Sequence, residues 1–405
     1  MWSFWNRRNE TDKYVLRSTW HVPASTSVPF PANDTKLGLA NHSPDRKPCG
    51  DGIMARNTTH AIIGCGRVAP NHLDAFSVIP GVTVKWACDR TPEHAAELAG
   101  VGGAVKVTDD YREVLADDSV DSVSITVDHA QHAELAAAAL RAGKHVLVEK
   151  PLAMTAAEGQ ELVALAESAG LVLSVVSQHR YDPLVVAARR WLRDGLLGRL
   201  VSVNTVLQCG RTPAYYQDSY WRGSWAGEGG SALVNQGYHG LDVTRWLCDG
   251  LDVVSAAAGT TCLREAMETE DTFAALLRSP SGALVTFSVT VASVVAWRSR
   301  ITLVGTGGTV VFDLDHPGTL HFAEGGEQLL REVELQRARA VREEPSGIDY
   351  YGISHRAQAV DFCESIRTGK PMAASGRAGL ETLLLLDELY RVGAGQARPA
   401  AVAVG

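Results

Sequence analysis

A regular alternation of short apolar runs with helical patterns begins at residue 59 and most constrains what this chain can fold into. Apolar runs of strand length that alternate with helical segments are typical of stacked βαβ units and a parallel sheet. The sequence therefore predicts an α/β fold with an open, doubly wound parallel sheet. The five runs are HAIIG (60–64), VTVKWACD (82–89), SVDSVSITV (119–127), HVLVEKP (145–151) and LVLSVVS (171–177).

Glycines mark the ends of the helical segments between these runs. HAELAAAALRAG (132–143) and AAEGQELVALAESAG (156–170) are rich in alanine, which is a strong helix former. Each closes with a glycine, the residue that best tolerates the left-handed conformation after a helix. We expect two helices that end at these glycines.

The pattern changes after Asp182-Pro183 and one further helix. Long β-rich runs follow, and they are broken by SPSG (279–282), GTGG (305–308) and EGGE (324–327), which we interpret as hairpin turns. These features predict an α+β domain with a large, mostly antiparallel, open-faced sheet.

Composition excludes several classes of function. The 405 residues carry 46 acidic and 38 basic side chains, a formal net charge of −8, so nucleic acid is not an expected partner. No stretch approaches the roughly 20 apolar residues that span a bilayer, and the N-terminus lacks the apolar run of a signal peptide. The seven cysteines lack the spacing of a zinc site. We expect reduced thiols, no metal, no membrane partner and a cytoplasmic location.

Residues 1–56 differ from the rest of the chain. They are rich in Pro, Asn, Ser, Thr and Arg, contain isolated Trp2, Trp5 and Trp20, and sustain neither helical nor strand periodicity. We interpret them as an irregular N-terminal extension. Met54, just before the first apolar run, is an alternative start of the protein.

A turn of small residues directly follows the first run. Gly64-Cys65-Gly66-Arg67-Val68-Ala69 fits the G-x-G-x-x-G/A pattern, which brings backbone amides and a helix N-terminus to a pyrophosphate. The next run ends at Asp89, 23 residues after Gly66, close to the spacing of the acid that binds the adenosine ribose. An ordinary glycine turn is the alternative. The predicted cofactor contacts here are Gly64, Gly66, Arg67, Val68, Asp89 and Arg90.

The two residues at the end of that run bear on the choice of cofactor. Asp89 favours NAD, because a carboxylate repels the 2′-phosphate of NADP. Arg90 beside it can pair with that phosphate instead, so NADP stays open.

Lysine is scarce in this chain, with 8 Lys against 30 Arg, and one lysine closes a predicted strand. Glu149-Lys150-Pro151 lies at the carboxyl edge of the sheet, where ligands of open α/β folds bind. An ammonium beside a cationic nicotinamide ring has its pKa lowered by like charge, so Lys150 is a candidate for proton exchange with a substrate hydroxyl. The alternative is a surface lysine at a strand end, which is our interpretation of Lys144.

Three motifs together resemble one family. The Gly-x-Gly-x-x-Ala turn, AGKHVLVEKP (142–151) and GGSALVNQGYHGLDVTRWL (229–247) are similar to the Gfo/Idh/MocA oxidoreductases, over about residues 57–393. The resemblance implies a Rossmann domain, an open-faced sheet domain that carries the substrate site, and hydride exchange at nicotinamide C4. It implies that Lys150 is the catalytic lysine and His239 the acid/base histidine. By the same resemblance, the remaining cofactor contacts are Val127, His132, Glu149 and Lys150 itself.

The predicted domain organisation follows from these patterns. We expect the extension at 1–56, an NAD(P)-binding Rossmann domain at 57–180 and a substrate-binding and oligomerisation domain at 181–405. Two closing helices, near 353–368 and 378–391, are placed so that they can pack back on the Rossmann domain.

The 229–247 segment supports the histidine independently. It opens with helix-breaking glycines and then places Asn235, His239, Asp242 and Trp246 at i, i+4, i+7 and i+11, on one helical stripe that can line a site. A structural histidine capped by Asp242 is the alternative.

Two residues depart from the family pattern. Many members have an aspartate one turn before the histidine, where this chain has Asn235. An amide orients other groups but carries neither a proton nor a charge, so His239 is left with Lys150 and the substrate. In addition, Val127-Asp128 replaces the family's Thr-Pro turn after the fourth strand.

Aromatic and guanidinium side chains crowd the segment before this helix. Arg211-Thr-Pro-Ala-Tyr215-Tyr216 and Trp221-Arg222-Gly223-Ser-Trp225 combine rings that stack on sugars with forks that hold hydroxyls or phosphates. A core aromatic cluster is the alternative, favoured for Trp225 and open for Trp221. Arg180 is expected to shape the site from the first domain. The predicted substrate contacts are Arg180, Tyr215, Tyr216, Trp221, Arg222, Asn235 and Asp242.

These features favour an NAD-dependent dehydrogenase for a secondary ring hydroxyl of a hexose. With Asn235-Gln236, the segment is similar to the branch that oxidises nucleotide-linked sugars at the 3-hydroxyl, in amino-sugar or antibiotic biosynthesis; an aminoglycoside sugar is a further candidate. The alternatives are an NADPH-dependent keto-sugar reductase, an inositol dehydrogenase and a dinucleotide-binding regulator without catalysis. We also expect a homodimer or homotetramer, because the open sheet face must be covered.

Overall fold

The computed structural model describes residues 57–102, 105–314, 318–340 and 352–395. The predicted extension at 1–56, with Met54, lies outside the described residues. The strands of the first sheet are β1 Thr58–Ile63, β2 Val82–Cys88, β3 Lys106–Thr108, β4 Ser122–Ile125, β5 His145–Val148 and β6 Leu173–Val175. They lie in the order β3-β2-β1-β4-β5-β6, and every neighbouring pair is parallel.

This sheet confirms the predicted doubly wound architecture. The five apolar runs form β1, β2, β4, β5 and β6. The sixth strand, β3, was not predicted, because three residues are too few to leave a periodic signal. The strand order reverses between β1 and β4, and ligands of open α/β sheets bind outside the carboxyl ends of the strands at such a point.

The second sheet has seven strands in the order β13-β12-β11-β7-β10-β9-β8. Its strands are β7 Leu200–Gly210, β8 Asp252–Gly259, β9 Thr272–Arg278, β10 Leu284–Thr290, β11 Ala292–Gly305, β12 Gly308–Asp313 and β13 Leu320–Gly325. Every neighbouring pair is antiparallel except β7 and β10, which run parallel. The predicted, mostly antiparallel sheet is therefore confirmed.

Eleven α-helices occur in the described residues. They are α1 Ala69–Ser77, α2 Pro92–Gly102, α3 Tyr111–Ala116, α4 His132–Arg141, α5 Ala156–Ala169, α6 Pro183–Arg193, α7 Pro213–Gln217, α8 Tyr238–Leu247, α9 Glu327–Ala340, α10 Gly352–Thr368 and α11 Gly376–Gly393. Short 3₁₀ turns cover His129–Gln131 and Gln178–Tyr181, and a π-helical turn covers Ala232–Gly237.

The helix ends show why the local sequence folds as it does. Thr155 caps α5 by accepting from the backbone N–H of Glu158, whose carboxylate accepts in return from the N–H of Thr155 at 2.9 Å. Gly170 ends the same helix with a φ of +65°, which an L-residue adopts only with strain. The glycine end predicted for this helix is confirmed.

One predicted hairpin is wrong. SPSG joins β9 to β10 and GTGG joins β11 to β12, as expected, but EGGE leads from β13 into α9. The helix buries Leu329, Val333 and Gln336, which recur every three or four residues. The charged residues between them hid this spacing from the sequence analysis.

The last helix contacts both sheets. Gly379 lies so close to β6 that a Cβ there would stand 2.3 Å from a methyl carbon of Val175, whereas the side chain of Phe273 on β9 lies against Gly393. The domain boundary at 180 stays a prediction. Within the described residues, none of the helices combines the length and the apolar character needed to cross a membrane.

Candidate active site

A cavity of about 710 Å³ lies at the carboxyl edge of the first sheet, and its volume is in the range of ligand sites. Residues after β1, β2, β4 and β5 line it from one side, and the segment from 211 to 239 lines it from the other. The structure brings most of the predicted site residues to the lining of this cavity. They are Gly64, Gly66, Arg67, Val68, Asp89, Arg90, Val127, Glu149, Lys150, Tyr215, Trp221, Arg222, Asn235 and His239.

The glycine turn fits a pyrophosphate. Gly64 has a φ of +96°, and a Cβ there would lie 2.7 Å from the backbone carbon of Thr126. A Cβ on Gly66 would meet no described atom within 4 Å. Helix α1 then begins at Ala69 without a side chain that caps its first turn. The helix dipole favours an anion at this end, where the N–H groups of Ala69 and Asn71 already donate to the backbone oxygens of Gly66 and Val68 at 3.2 and 3.1 Å.

Asp89 fixes this turn from the end of β2. Its carboxylate accepts from the N–H of Cys65 at 2.7 Å and from the N–H of Thr91 at 2.8 Å. A carboxylate has about four acceptor positions, so capacity remains for ribose hydroxyls. Arg90 lies on the same wall and donates to the Tyr220 hydroxyl at 3.4 Å. The Tyr220 hydroxyl in turn donates to Asp128 after β4.

The predicted cofactor contact of His132 is not supported, because this side chain does not line the cavity. It is fully buried, with Nδ1 2.6 Å from the carbonyl oxygen of Pro151 and Nε2 3.2 Å from that of Val127. The imidazole therefore joins the loop after β4 to the loop after β5. Val127 itself does line the cavity.

Glu149 is held by a histidine network. Nε2 of His72 lies 3.2 Å from Glu149 Oε1, and Nδ1 of His72 lies 2.9 Å from the Ser124 hydroxyl. Burial alone would raise the pKa of Glu149. The hydrogen bond from His72 and the charges of His72, His355 and Lys150 outweigh burial and lower that pKa to about 2. Glu149 is consequently ionised next to Lys150.

Lys150 is tied to the segment before α8. Its Nζ donates to the side-chain oxygen of Asn235 at 2.9 Å and to the backbone oxygen of Asn235 at 3.1 Å. Burial lowers the pKa of Lys150, although the carboxylates of Glu149 and Glu228 act in the opposite direction. A lysine with a lowered pKa exchanges protons more readily near neutral pH.

The interpretation of Lys144 as a surface lysine is wrong. Only 5% of this residue is exposed, and its Nζ donates to the backbone oxygen of Asp117 at 2.9 Å. The aliphatic stem packs inward while the ammonium finds a carbonyl, which a linear sequence does not reveal.

Glu228 is a residue that the sequence analysis missed. It is fully buried, and its carboxylate accepts from the side-chain amide of Asn235 and, at 2.7 Å, from the N–H of Gly223. Burial raises the pKa of Glu228 to about 7. A single glutamate among glycines gives no periodic signal, so only its position seven residues before Asn235 hinted at the contact.

His239 lines the cavity with Lys150. Its Nε2 lies 3.4 Å from the amide nitrogen of Gln178, and its Nδ1 has no hydrogen-bond partner among the described residues. Burial, followed by the charges of His179, Lys150 and His355, holds the pKa of His239 well below its ordinary value. The imidazole is therefore neutral at pH 7 and able to accept a hydrogen bond from a substrate hydroxyl.

The predicted single stripe on the 229–247 segment is wrong in part. Residues Ala232–Gly237 form a π-helical turn, and the regular α-helix begins only at Tyr238. The wider turn changes the angular spacing on which the stripe was based. Asn235 and His239 still line the cavity, whereas Asp242 and Trp246 do not.

The substrate contacts predicted for Arg180 and Asp242 are not supported either, because these residues bind each other and do not line the cavity. Arg180 donates to the two oxygens of Asp242 at 2.7 and 2.5 Å, and both side chains are 1% exposed. Arg180 also donates to the backbone oxygen of Ala373 at 2.7 Å. The pair thus joins α8 to the chain before α11. Asp242 binds Arg180, so the alternative in which it caps His239 is not observed.

Aromatic rings and guanidinium groups do meet on the cavity wall. Arg222 lies over the rings of Tyr215, at 4.6 Å, and Trp221, at 4.9 Å. Arg211 lies 5.1 Å from the Tyr215 ring and 5.9 Å from that of Trp297 on β11, which the sequence analysis also missed. The alternating pattern of a strand gave no indication that the Trp297 side chain faces a ligand site.

Two other aromatic residues of this segment lie in the core. Tyr216 is 2% exposed, its hydroxyl accepts from Ser231 at 3.3 Å, and it does not line the cavity, so its predicted substrate contact is not supported. Trp225 packs edge-to-face against Tyr390 at 5.6 Å, in agreement with the core position favoured for it.

The fold and the site together define a dinucleotide-dependent oxidoreductase. A Rossmann sheet presents the glycine turn, the N-terminus of α1 and Asp89 to the cavity, and Lys150 and the neutral imidazole of His239 line the same cavity. The chain belongs to the Gfo/Idh/MocA family. Residues 58–177 match the model of its NAD-binding Rossmann domain, described as an oxidoreductase family, and residues 185–311 match its C-terminal domain.

Several similar proteins are named dehydrogenases. D-apiose dehydrogenase of Paraburkholderia graminis is 27% identical over 82% of this chain and 86% of its own length. Inositol 2-dehydrogenase 2 of Saccharopolyspora erythraea is 29% identical over 64% of this chain and 74% of its own. The structure of the WlbA dehydrogenase from Bordetella pertussis was solved with NADH and UDP-GlcNAcA. It is 26% identical to this chain and superposes with a TM-score of 0.76, and the match covers 87% of this chain and all of the WlbA chain.

These findings decide two of the open alternatives. The protein is an NAD-dependent oxidoreductase, as predicted, and the alternative of a dinucleotide-binding regulator without catalysis is rejected. The residues that the structure shows fit NAD, because the glycine turn leaves room for a pyrophosphate and Asp89 faces the same cavity. When bound, NAD supplies a hydride acceptor at nicotinamide C4.

Proposed function

We propose that this enzyme uses NAD to oxidise a secondary ring hydroxyl, at the 3-position, of a nucleotide-linked hexose that carries negative charge. The observation that carries the proposal is a pair of arginines on the cavity wall, Arg211 and Arg222. Neither forms an ion pair with a carboxylate in the described part of the chain. Two guanidinium groups without counterions, next to the candidate catalytic residues, suit a substrate with a phosphate or carboxylate.

Unpaired polar atoms support a polar ligand. Buried side-chain atoms normally have hydrogen-bond partners. Five that lack one within the described residues belong to cavity-lining side chains, namely Asn71 Oδ1, Gln178 Oε1, Arg211 Nε, Arg222 Nε and His239 Nδ1. They include donors and acceptors, as a substrate with several hydroxyl groups and an anionic group requires.

The comparison with WlbA supports the same class of substrate. That dehydrogenase was crystallised with UDP-GlcNAcA, a sugar linked to a nucleoside diphosphate. The 3-position and a role in amino-sugar biosynthesis follow from the resemblance of the 211–247 segment to the nucleotide-sugar branch of the family, and they are part of the proposal.

The roles we propose for Lys150 and His239 follow from their surroundings. Neutral Lys150 accepts the hydroxyl proton as the hydride leaves the carbinol carbon, and the neutral imidazole of His239 accepts a hydrogen bond that orients that hydroxyl. Asn235 holds the lysine at the wall through two hydrogen bonds. Tyr215 and Trp221 offer ring faces to the sugar.

An aminoglycoside sugar is a weaker candidate. Aminoglycosides carry several ammonium groups, which two unpaired guanidinium groups repel. A neutral sugar or a cyclitol is the stronger alternative, because relatives named for D-apiose and inositol match this chain at similar identity. Reduction of a keto sugar with NADPH is the reverse direction of the same chemistry.

A panel of substrates tests the proposal. The rate of NADH formation is followed by absorbance for UDP-linked hexuronates, UDP-hexoses, free hexoses and myo-inositol, each with NAD and with NADP. We expect the highest kcat/KM for a UDP-linked hexuronate with NAD. A preference for myo-inositol, or turnover with NADP alone, would contradict the proposed substrate or cofactor.

The state of the protein in the cell is also part of the proposal. We propose a homodimer or homotetramer in which the outer face of the seven-stranded sheet is covered, and a cytoplasmic location. Light scattering at micromolar concentration measures the first, and a monomeric mass would contradict it.

A further inference from the structure

We propose that Glu228 is a positioning residue for Lys150. Through the amide of Asn235, its buried carboxylate fixes the lysine side chain at the cavity wall and strengthens the hold of that lysine on its proton. The importance of this coupling for turnover rests on the proposed function. The coupling itself is a property of the protein without substrate, and it can be measured there.

A chain of three hydrogen bonds links the groups. Lys150 Nζ donates to Asn235 Oδ1 at 2.9 Å, and the amide nitrogen of Asn235 donates to Glu228 Oε1. The backbone N–H of Gly223 donates to the other carboxylate oxygen at 2.7 Å. Both ends of the chain are anchored, since Lys150 lies two residues after β5 of the first sheet and Glu228 is fully buried.

The chemistry of the amide gives this chain a direction. A side-chain amide has one oxygen, which only accepts, and one nitrogen, which only donates. With Oδ1 of Asn235 on the ammonium, the nitrogen must face the carboxylate. A flipped amide would place N–H groups against the ammonium and an oxygen against the carboxylate, so the carboxylate keeps the amide in the orientation that holds Lys150.

This arrangement explains the departure from the family pattern at position 235. An aspartate there would contact Lys150 directly and bring its own charge. In this chain the amide makes the contact, and Glu228 supplies the charge from behind it. The expectation that His239 depends on Lys150 and the substrate alone is therefore incomplete.

The surroundings determine when Glu228 is charged. Burial, and more weakly the like charge of Glu270, raise the pKa of Glu228 to about 7, although hydrogen bonds from Gly223 and Asn235 oppose this. Ionised Glu228 acts to raise the pKa of Lys150, as Glu149 does, whereas Arg222 acts to lower it. The other titratable groups around the pair are Tyr216, His129 and His239.

Competitive labelling tests the coupling without substrate. The whole enzyme is treated with trace acetic anhydride between pH 6 and 11, and mass spectrometry gives the labelled fraction of Lys150 at each pH. We expect Glu228→Gln to lower the pKa of Lys150 by roughly one unit, because an opposite charge nearby is lost. Glu268→Gln is the matched control. Glu268 is exposed and binds the N–H of Trp225 in the same segment at 2.7 Å, so its loss is expected to leave Lys150 unchanged.

A relocated charge distinguishes coupling from damage. In the double variant Asn235→Asp/Glu228→Gln, the carboxylate moves from position 228 to 235. We expect the pKa of Lys150 to return at least to the wild-type value. An unchanged pKa in Glu228→Gln, or a double variant that stays as low as Glu228→Gln, would overturn the proposal.

A third variant keeps the test decisive if Glu228→Gln does not fold. Asn235→Leu breaks the bridge and leaves the carboxylate in place, so we expect the pKa of Lys150 to fall as the lysine loses its anchored position. An unchanged value in Asn235→Leu would then overturn the proposal.

The pH profile of turnover gives a second readout. In sugar oxidation the neutral lysine is the base, so activity rises with pH through the pKa of Lys150. Glu228→Gln lowers that pKa, and the rising limb of kcat is expected to move to lower pH while KM for NAD stays the same. If no substrate of the panel is turned over, the proposed function fails, whereas the labelling result still decides the role of Glu228.

Discussion

The two walls of the cavity hold their side chains in different ways. On the strand-end wall, Asp89 and Glu149 directly follow parallel strands and Lys150 comes after Glu149, so the register of the first sheet sets their positions. On the loop wall, Arg211, Tyr215, Trp221, Arg222 and Asn235 lie in a segment with one short helix and one π-helical turn. There, side-chain contacts replace strand register.

This difference matters for chemistry and for specificity. The strand-end wall carries the residues to which we assign cofactor binding and proton transfer, and a rigid sheet holds them. The loop wall carries unpaired guanidinium groups and aromatic faces, which are suited to select one substrate. We infer that the first wall sets the reaction and the second sets the substrate, and substitutions on each wall can test this division.

The largest effect is expected at Lys150. Lys150→Met removes the group that we propose as the acceptor of the hydroxyl proton, so we expect kcat to fall by roughly 10²- to 10⁴-fold. The affinity for NAD, measured by fluorescence titration, is expected to change little, because the glycine turn is intact. Lys106→Met is the control, since Lys106 is exposed and lies over the Trp86 ring at 5.0 Å. An undiminished kcat in Lys150→Met would contradict its placement as the base.

The Arg180–Asp242 pair tests whether these two buried residues contribute to stability or to substrate binding. Asp242→Asn leaves a buried guanidinium without its partner, and we expect the free energy of unfolding to fall by about 3–5 kcal/mol. Urea denaturation measures this loss. Arg180→Met/Asp242→Leu removes both charges and is expected to lose far less. A variant of Arg180 that folds well but has a much higher KM would show instead that this arginine contacts substrate.

Arg222 tests the loop wall. Arg222→Gln removes one unpaired guanidinium, and we expect KM for a UDP-linked sugar to rise roughly ten- to a hundredfold, as the loss of a charged hydrogen bond implies. Arg189→Gln is the control, because Arg189 pairs with Asp249 and does not line the cavity. Equal changes in KM for charged and neutral substrates would argue against selection by charge.

The smallest effect is expected at two glycines of the strand-end wall, which test how the glycine turn is built. Gly64→Ala places a Cβ 2.7 Å from the Thr126 backbone at a φ of +96°, so we expect a loss of about 1–2 kcal/mol in stability. Gly66→Ala meets no described atom within 4 Å. It is expected to keep stability and to weaken NAD binding, because its Cβ enters the space for the pyrophosphate. Similar stability losses in both variants would contradict this reading of the turn.

The two walls also differ in how far the sequence predicts them. The strand-end residues were found because a strand, a turn and a helix leave periodic patterns and fixed spacings, as with Gly64, Asp89 and Lys150. His132 was misplaced because sequence does not show whether a polar side chain faces a ligand or the carbonyl groups of neighbouring loops. Sequence placed the two sheets correctly but missed β3, which is too short to leave a pattern.

On the loop wall, prediction was limited by contacts between distant residues. Glu228 reaches Lys150 through Asn235, and no local pattern encodes such a path. The π-helical turn at Ala232–Gly237 broke the assumption of regular helical spacing, so Asp242 was placed on the wrong side of the helix. Trp297 comes from a strand 75 residues beyond Arg222, where a single tryptophan reads as part of a sheet face.

Transfer of a deuterium label tests most directly whether the enzyme, with both walls of its cavity in place, oxidises the 3-hydroxyl of the sugar. A UDP-linked hexuronate deuterated only at C3 is turned over with NAD, and the cofactor is analysed by mass spectrometry. We expect one deuterium in the reduced nicotinamide and a sugar product that has lost it. Reduced cofactor without deuterium, formed while the label remains at C3, would contradict oxidation at that position.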